Sequence, residues 1–312
     1  MIFWVGIILY LLSVGCSGPP PLEYEEGRLD DPTVLDPYVN DPTFRVSQRS
    51  GVNTDIPVII AAHGFTAGSA EWEEFLDYVG GKEANNHAGS GVYVSVVVLG
   101  GHGRSTDDFR KAKWEDWAAP IVEEYNALVA LGFENISIAG SSTAGALIVE
   151  KIRQDVFSIA PKHLFFIDAL VTGRDKMLYL VPYVYEIIGD SKRTEITEEE
   201  KTRWYTISPK QALRELEALS SQVRKHLAEG VRLPNGTTCS IYQSKDDGVV
   251  DPISAYMLYK GLIQSNGKKP EFMAIESNKH VFTYLKYRKS YTDKDSENQK
   301  KVFDEMIQKA KQ

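Results

Sequence analysis

The stretch from Ile136 to Ile152, "ISIAGSSTAGALIVEKI", passes from a β-branched run through six small residues into a helix-forming segment, and its turn carries two hydroxyls, Ser141 and Ser142. A serine on a tight strand-to-helix turn can serve as a nucleophile when the residues two positions to either side are small, because the backbone packs against itself there. Around Ser142 those positions are Gly140 and Ala144; around Ser141 they are Ala139 and the branched Thr143, which such packing excludes. Ser142 is therefore the expected nucleophile. Its hydroxyl attacks only when a base accepts the proton, and the base needs a carboxylate to hold its tautomer. Of six histidines, at 63, 87, 102, 163, 226 and 280, only His280 lies in a loop directly after a late predicted strand, "EFMAIESNKHVF". His163 begins a strand and His226 falls on a predicted helix, which suits structural or solvated roles, and His87 sits in a polar loop. For the acid, "YQSKDDGVVDP" offers Asp246, Asp247 and Asp251, the last leading into a helix as an N-cap would. Acyl transfer also requires donors for an oxyanion, and the N–H of Thr143, directly after the nucleophile, is one.

These side chains are far apart in sequence, so strand ends must bring them together. "IPVIIAAHGF" (56–65) is a continuous apolar run ending in a turn, the pattern of a strand covered on both faces. "SAEWEEFLDYVG" follows, with Trp72, Phe75, Leu76 and Val79 on one helical face. "GVYVSVVVLGGHG" (91–103) predicts the next strand, and Trp114, Trp117, Ala118, Ile121, Tyr125 and Leu128 predict a helix over 111–131. After the serine turn and its helix comes another buried strand, "HLFFIDAL" (163–170). Beyond the interval 171–235 the pattern resumes with "CSIYQS", "PISAYMLYKGLIQ", "EFMAIES" and a terminal helix, "ENQKKVFDEMIQKAK". This alternation predicts an α/β chain with a doubly wound, mostly parallel sheet, whose ligands bind at the carboxyl ends of the strands.

With 312 residues and 43% hydrophobic content, the chain can bury a substantial core as one large or two small domains. Thirty-five basic against 43 acidic side chains leave a net charge of −8 and no basic stripe, which argues against nucleic acid as a partner. Two cysteines, Cys16 and Cys239, are too few for a disulfide framework and lack metal-ligand spacing.

In the acid loop the chain resembles the α/β-hydrolase family, where this segment commonly reads D-x-x-V-x-P. Asp247, Val250 and Pro252 fit that frame, whereas Asp246 would bring Asp251 to the place of the proline. The resemblance thus implies Asp247 as the acid, with Asp246 as the fallback. "AHGF" (62–65) is similar to the family's oxyanion loop and implies the N–H of Phe65 as the donor beside Thr143, with His63 shaping the loop. "LGGHGRS" (99–105) is similar to the family's G-H-G-x-S loop, which implies a supporting role for His102. The likeness spans 55–310. It implies an α/β-hydrolase core over 51–170 and 236–312, with a helical cap over 171–235 inserted after the sixth strand.

In that interval Leu178, Leu180, Val181, Tyr183 and Tyr185, and then Leu213, Leu216, Val223 and Leu227, either line an acyl-chain pocket or, the commoner role of such residues, pack the cap onto the body. Trp204 and the charged run "TEEEKTR" (197–203) read as surface features. The layout looks most like bacterial carboxylesterases and monoacylglycerol lipases. That likeness implies cleavage of a small ester with an apolar acyl chain through an acyl-enzyme on Ser142, requiring neither metal nor organic cofactor. A serine in the turn sets the chain apart from the aspartate-nucleophile epoxide hydrolases and haloalkane dehalogenases. A thioesterase or perhydrolase would use the same triad, and a binding lipoprotein that kept the fold but lost catalysis is the alternative from another class.

The first fifteen residues, "MIFWVGIILYLLSVG", carry no charge and end at Cys16. They are short for a membrane span of about 20 residues and read as an export signal. Ser13-Val14-Gly15-Cys16 resembles a bacterial lipobox, which implies lipid attachment at Cys16; an uncleaved anchor is the alternative. Either places the body outside the cytoplasm and beside a membrane, with 17–50, rich in Pro, Asp and Gly, as a spacer having little core of its own.

Overall fold

The computed structural model describes residues 29–30, 35–80, 90–193 and 196–312; Cys16, the segment before it and His87 lie outside these residues. Six strands form one sheet: β1 (Val58–Ala62), β2 (Tyr93–Val97), β3 (Ile136–Ser141), β4 (His163–Ile167), β5 (Thr238–Ser244) and β6 (Glu271–Ile275). Their order is β6-β5-β4-β3-β1-β2, and every neighbouring pair is parallel. Strands β1 to β4 are buried along their whole length, which their unbroken apolar runs require. Alternate residues go to opposite faces: Val58, Ile60 and Ala62 join one core layer, Ile59 and Ala61 the other.

Helices cover both faces. The first layer is closed by α3 (Trp114–Ala130), α4 (Thr143–Arg153), α5 (Lys210–Glu229) and α6 (Ile253–Gly261). The second is closed by α1 (Glu73–Tyr78) and α7 (Asp293–Ala310), through Phe75, Phe303 and Met306. The helix expected over 111–131 begins at Trp114, where Lys113 N–H donates to Asp116 Oδ2 at 2.9 Å; a separate helix, α2 (Thr106–Lys111), ends before it. All six residues of the expected apolar stripe are buried.

The chain crosses from β2 on one side of β1 to β3 on the other, so the sheet reverses direction beside β1. Ligands of such sheets bind in the crevice above that reversal. Register aligns the strand ends: Ala62 pairs with Gly140, Ser141 with Ile167, Ile167 with Tyr242, and Ile275 with Ser244. The loops that follow all these strands therefore open on one rim.

The structure differs from expectation in four places. The interval 171–235 follows the fourth strand of the described sheet, not a sixth, because the Pro-bearing residues ahead of Val58 form short helical turns, Pro37–Asn40, Pro42–Phe44 and Val46–Gln48. These turns are also not a loose spacer: Val46 enters the core, and its N–H donates to Ser95 Oγ at 3.0 Å. Ser95 and Ser47 in turn donate to the buried Glu124, and Arg49 caps the Val94 carbonyl at 3.0 Å. Trp204 is buried against Tyr284, ring centroids 4.3 Å apart, and Glu200 of the charged run is buried with Arg288 at 3.0 Å. Finally, Val181 alone of the first apolar segment is buried, while Leu180 and Tyr183 face outward, Tyr183 with 85% of its surface exposed. On α5, Leu216, Val223 and Leu227 pack inward as expected. Among the described residues, no helix is long and apolar enough to cross a membrane.

Candidate active site

Ser142 follows β3 with φ 48° and ψ −117°, a conformation costly for a residue with a side chain. The surroundings impose it. Ser142 N–H donates to Ile167 O at 2.9 Å, and its carbonyl accepts from Leu170 N–H at 2.9 Å, so the turn is pinned to the exit of β4. A Cβ at Gly140 would lie 2.8 Å from backbone atoms of Ala144 and Gly145, and one at Gly145 would lie 2.4 Å from Ala169 Cβ. The two glycines are thus needed where α4 folds back over β3 and against β4, while Ala144 fits.

The three side chains expected from the sequence meet. His280 Nε2 lies 2.9 Å from Ser142 Oγ, and His280 Nδ1 lies 2.8 Å from Asp247 Oδ2. With an ionised carboxylate as acceptor, Nδ1 carries the proton and Nε2 is free to accept one from the serine. Asp247 is fully buried; its Oδ1 accepts from Val249 N–H at 2.8 Å and Val250 N–H at 2.9 Å, which leaves Oδ2 for the imidazole. Asp246 is exposed, and Asp251 sits at the start of α6, accepting from Ile253 N–H at 3.1 Å and pairing with Lys176. Burial alone would lower the proton affinity of His280. The charge and hydrogen bond of Asp247, with Asp168 and Glu71 further off, outweigh it and raise the group above its ordinary value.

Phe65 follows β1 by three residues, its ring set against Phe109 and Trp117 at 5.1 and 5.8 Å. Among the described residues its N–H meets no backbone acceptor. Thr143 is the first residue of α4, so its N–H stands outside the helical ladder at the positive end of the helix dipole. Gly64 presses on the nucleophile, for a Cβ there would lie 2.9 Å from Ser142 Cβ. His63 holds this loop to β2's exit: Nδ1–H donates to Gly64 O at 2.9 Å, and Nε2 accepts from Leu99 N–H at 3.0 Å. His102 is buried beside it, at 5.3 Å between ring centroids, and accompanies Phe109 and Trp117. Burial holds both imidazoles below their ordinary proton affinity, that of His102 well below. His163 bridges Thr238 and Ser240 of β5, and His226 pairs with Glu150 at 2.7 Å, both away from this rim.

Sequence reasoning missed a second carboxylate. Asp168, at the end of β4 with φ 43°, is fully buried, and its oxygens accept from Ser244 N–H at 2.6 Å, Ser244 Oγ at 3.1 Å and Phe282 N–H at 3.4 Å. It grips the segment on which His280 stands. Burial and the charge of Asp247 push it up to about 7. Its place directly after "HLFFI" was a usable signal, since the loops after β1, β3, β5 and β6 each deliver a candidate site residue to the same rim. Asp168, Asp247 and His280 each present a donor atom within 4.8 Å of the others, but hydrogen bonds already commit these atoms, which suits a proton relay better than a metal. Arg288 was also unforeseen: it donates to the His280 carbonyl and ties that loop to Glu200 of the insertion.

A parallel sheet covered on both faces, with a strained serine after β3 and an acid and a histidine at later strand ends, defines the α/β-hydrolases, and this chain has that fold. No protein-family model matches the chain. A thermostable monoacylglycerol lipase from Bacillus sp. (strain H-257) is 25% identical over 228 residues, covering 72% of this chain and 83% of that protein. Among solved structures, one of the metagenome-derived lipolytic enzymes LipS and LipT superposes with a TM-score of 0.61 at 22% identity, covering 81% of this chain and 93% of the other. A soluble variant of monoglyceride lipase from Saccharomyces cerevisiae, in complex with a substrate analog, gives a TM-score of 0.63 at 12% identity, covering 84% and 88%.

Proposed function

We propose that the protein is a serine hydrolase of carboxylic esters, acting on small, monoacylglycerol-like substrates with an apolar acyl chain. One observation carries this: the continuous hydrogen-bonded line from Ser142 Oγ through the His280 ring to Asp247 at the carboxyl rim of the sheet. In the proposed reaction, His280 Nε2 takes the serine proton as Oγ attacks the ester carbonyl carbon. The N–H groups of Phe65 and Thr143 receive the resulting oxyanion. When the C–O bond breaks, His280 protonates the leaving alcohol; water then gives a proton to His280 as its oxygen attacks the acyl carbon, and His280 returns that proton to Ser142 Oγ as the Oγ–acyl bond breaks and the acid leaves. Asp247 holds the imidazole and offsets the positive charge it acquires. The relatives' action on monoacylglycerol and lipid substrates supports the choice of ester.

Ser142→Ala should abolish p-nitrophenyl ester hydrolysis and labelling by a fluorophosphonate probe while leaving the circular-dichroism spectrum unchanged. A wild-type chain that resists the probe, or an active alanine variant, rejects the assignment and favours a binding role. The chain-length profile of p-nitrophenyl esters then tests the acyl preference. Membrane association through Cys16 and export belong to the same proposal. They are supported by the uncharged segment ahead of Cys16 and by the outward-facing Met177, Tyr183 and Ile187 of the insertion. Cys16→Ala should move the protein from the membrane to the soluble fraction of cells.

A further inference from the structure

We propose that Glu71 is a positioning residue, a tie between the two segments that carry the oxyanion donors; the inference rests on the ester-hydrolase reading above. Glu71 lies in the turn Ser69–Trp72 and is buried. Its Oε1 accepts the Gly64 N–H at 2.9 Å and also the Ser141 hydroxyl. Gly64 immediately precedes Phe65, and Ser141 immediately precedes Ser142 and Thr143. A single oxygen therefore spans the gap between the loop after β1 and the turn after β3. Its partner oxygen is near the same spot: a Cβ at Gly64 would lie 3.6 Å from Glu71 Oε2 and 3.4 Å from Ser142 Oγ. The doubled serine of the turn is thereby explained, the second hydroxyl facing the substrate side and the first facing this carboxylate.

The role follows from what oxyanion stabilisation demands. Two N–H groups must stand about 2.7–3.1 Å from one developing charge, so the separation of the segments bearing them has to be held within a fraction of an ångström. The two loops are about 80 residues apart along the chain; the β1–β3 ladder brings them side by side as far as Ala62 and Gly140, and beyond it side-chain ties such as that of Glu71 set their spacing. A negative charge this close to an oxyanion opposes the chemistry electrostatically. The value of Glu71 is then its paired acceptor geometry and not its charge. Glutamine, whose Oε1 can receive the same two hydrogen bonds, should therefore substitute for it.

The test is steady-state p-nitrophenyl butyrate hydrolysis by the full chain, with the fluorophosphonate probe run in parallel. Glu71→Ala should lower kcat by about tenfold or more, short of the 10²–10³ lost with an oxyanion donor itself, with KM changed less than about twofold. Glu71→Gln should stay within about threefold of wild type. Ser141→Ala should lower kcat by less than Glu71→Ala, and combining the two should cost no more than Glu71→Ala alone, since both remove the same tie. Should Glu71→Ala not fold, Glu71→Gln and Ser141→Ala decide. Wild-type kcat in Ser141→Ala, or loss in Glu71→Gln as deep as in the alanine variant, overturns the inference while wild type still labels at Ser142. A wild-type chain that does not label removes the hydrolase reading, and this inference with it.

Discussion

At the scale of single residues, the proposed base is the group whose state would decide activity. His280 must be neutral at Nε2 to accept the serine proton, and its neighbours raise it above the ordinary value near 6.5. Activity should therefore appear as pH rises through that raised value, so the acid limb of kcat/KM lies above pH 6.5. Asp247→Asn removes the main raising influence and the Nδ1 acceptor together. The limb should move to lower pH and kcat should fall by about 10³–10⁴, the scale of losing the tautomer-holding carboxylate. An unmoved limb in that variant would mean that another group titrates. Ser142 and His280 were legible because each stands beside a turn or strand-end signal, which is local, whereas Asp247 was singled out from Asp246 and Asp251 by the resemblance of its loop to D-x-x-V-x-P. Asp168, Glu71 and Arg288 were not legible. Each acts through a partner 70 or more positions away, Ser141 for Glu71, Ser244 for Asp168 and Glu200 for Arg288, and nothing in their own neighbourhoods marks those partners.

At the scale of elements, the tight approach of α4 to β3 and β4 is what strains Ser142 into place. Gly140→Ala would force a methyl to 2.8 Å from backbone and 2.5 Å from Ile148 Cδ1, with no flexible backbone there to yield. The expected cost is about 1–3 kcal/mol, typical of overpacking, read as a lower denaturant midpoint, together with a loss of kcat as the Thr143 amide shifts. A variant of native stability and activity would show that the turn tolerates more room than its contacts allow. The strands and the main helices were readable from periodicity, since burial on one or two faces writes itself into the order of residues. The insertion was less readable. Trp204 and Glu200 are buried only because the His280 loop, with Tyr284 and Arg288, comes to lie against them, and composition alone marks such a stretch as surface.

At the scale of the whole molecule, buried histidines couple folding to pH. His163 is pushed down to about 3 by burial, so the folded state excludes a proton that the unfolded chain binds below about 6.5. That contribution is complete above pH 6.5 and is lost as pH falls towards 3, at up to about 1.4 kcal/mol per pH unit. His63 and His102 act in the same sense, whereas Asp168 and His280, both raised, act against them. The share of His163 is isolated by His163→Gln: between pH 6 and 4 its stability should fall less steeply than that of wild type in urea titrations, and parallel slopes would refute the assignment. The order of types along the chain by itself determined the α/β class, the parallel sheet and the places where a nucleophile, a base and an acid could stand, because strand and helix periods and turn chemistry are properties of neighbours in sequence. Only the tertiary structure decided which buried carboxylates stand around those groups, that residues 36–49 are stitched into the body, and how closely the loops after β1 and β3 are held. Those depend on distances between segments that share no local pattern, and packing alone sets them.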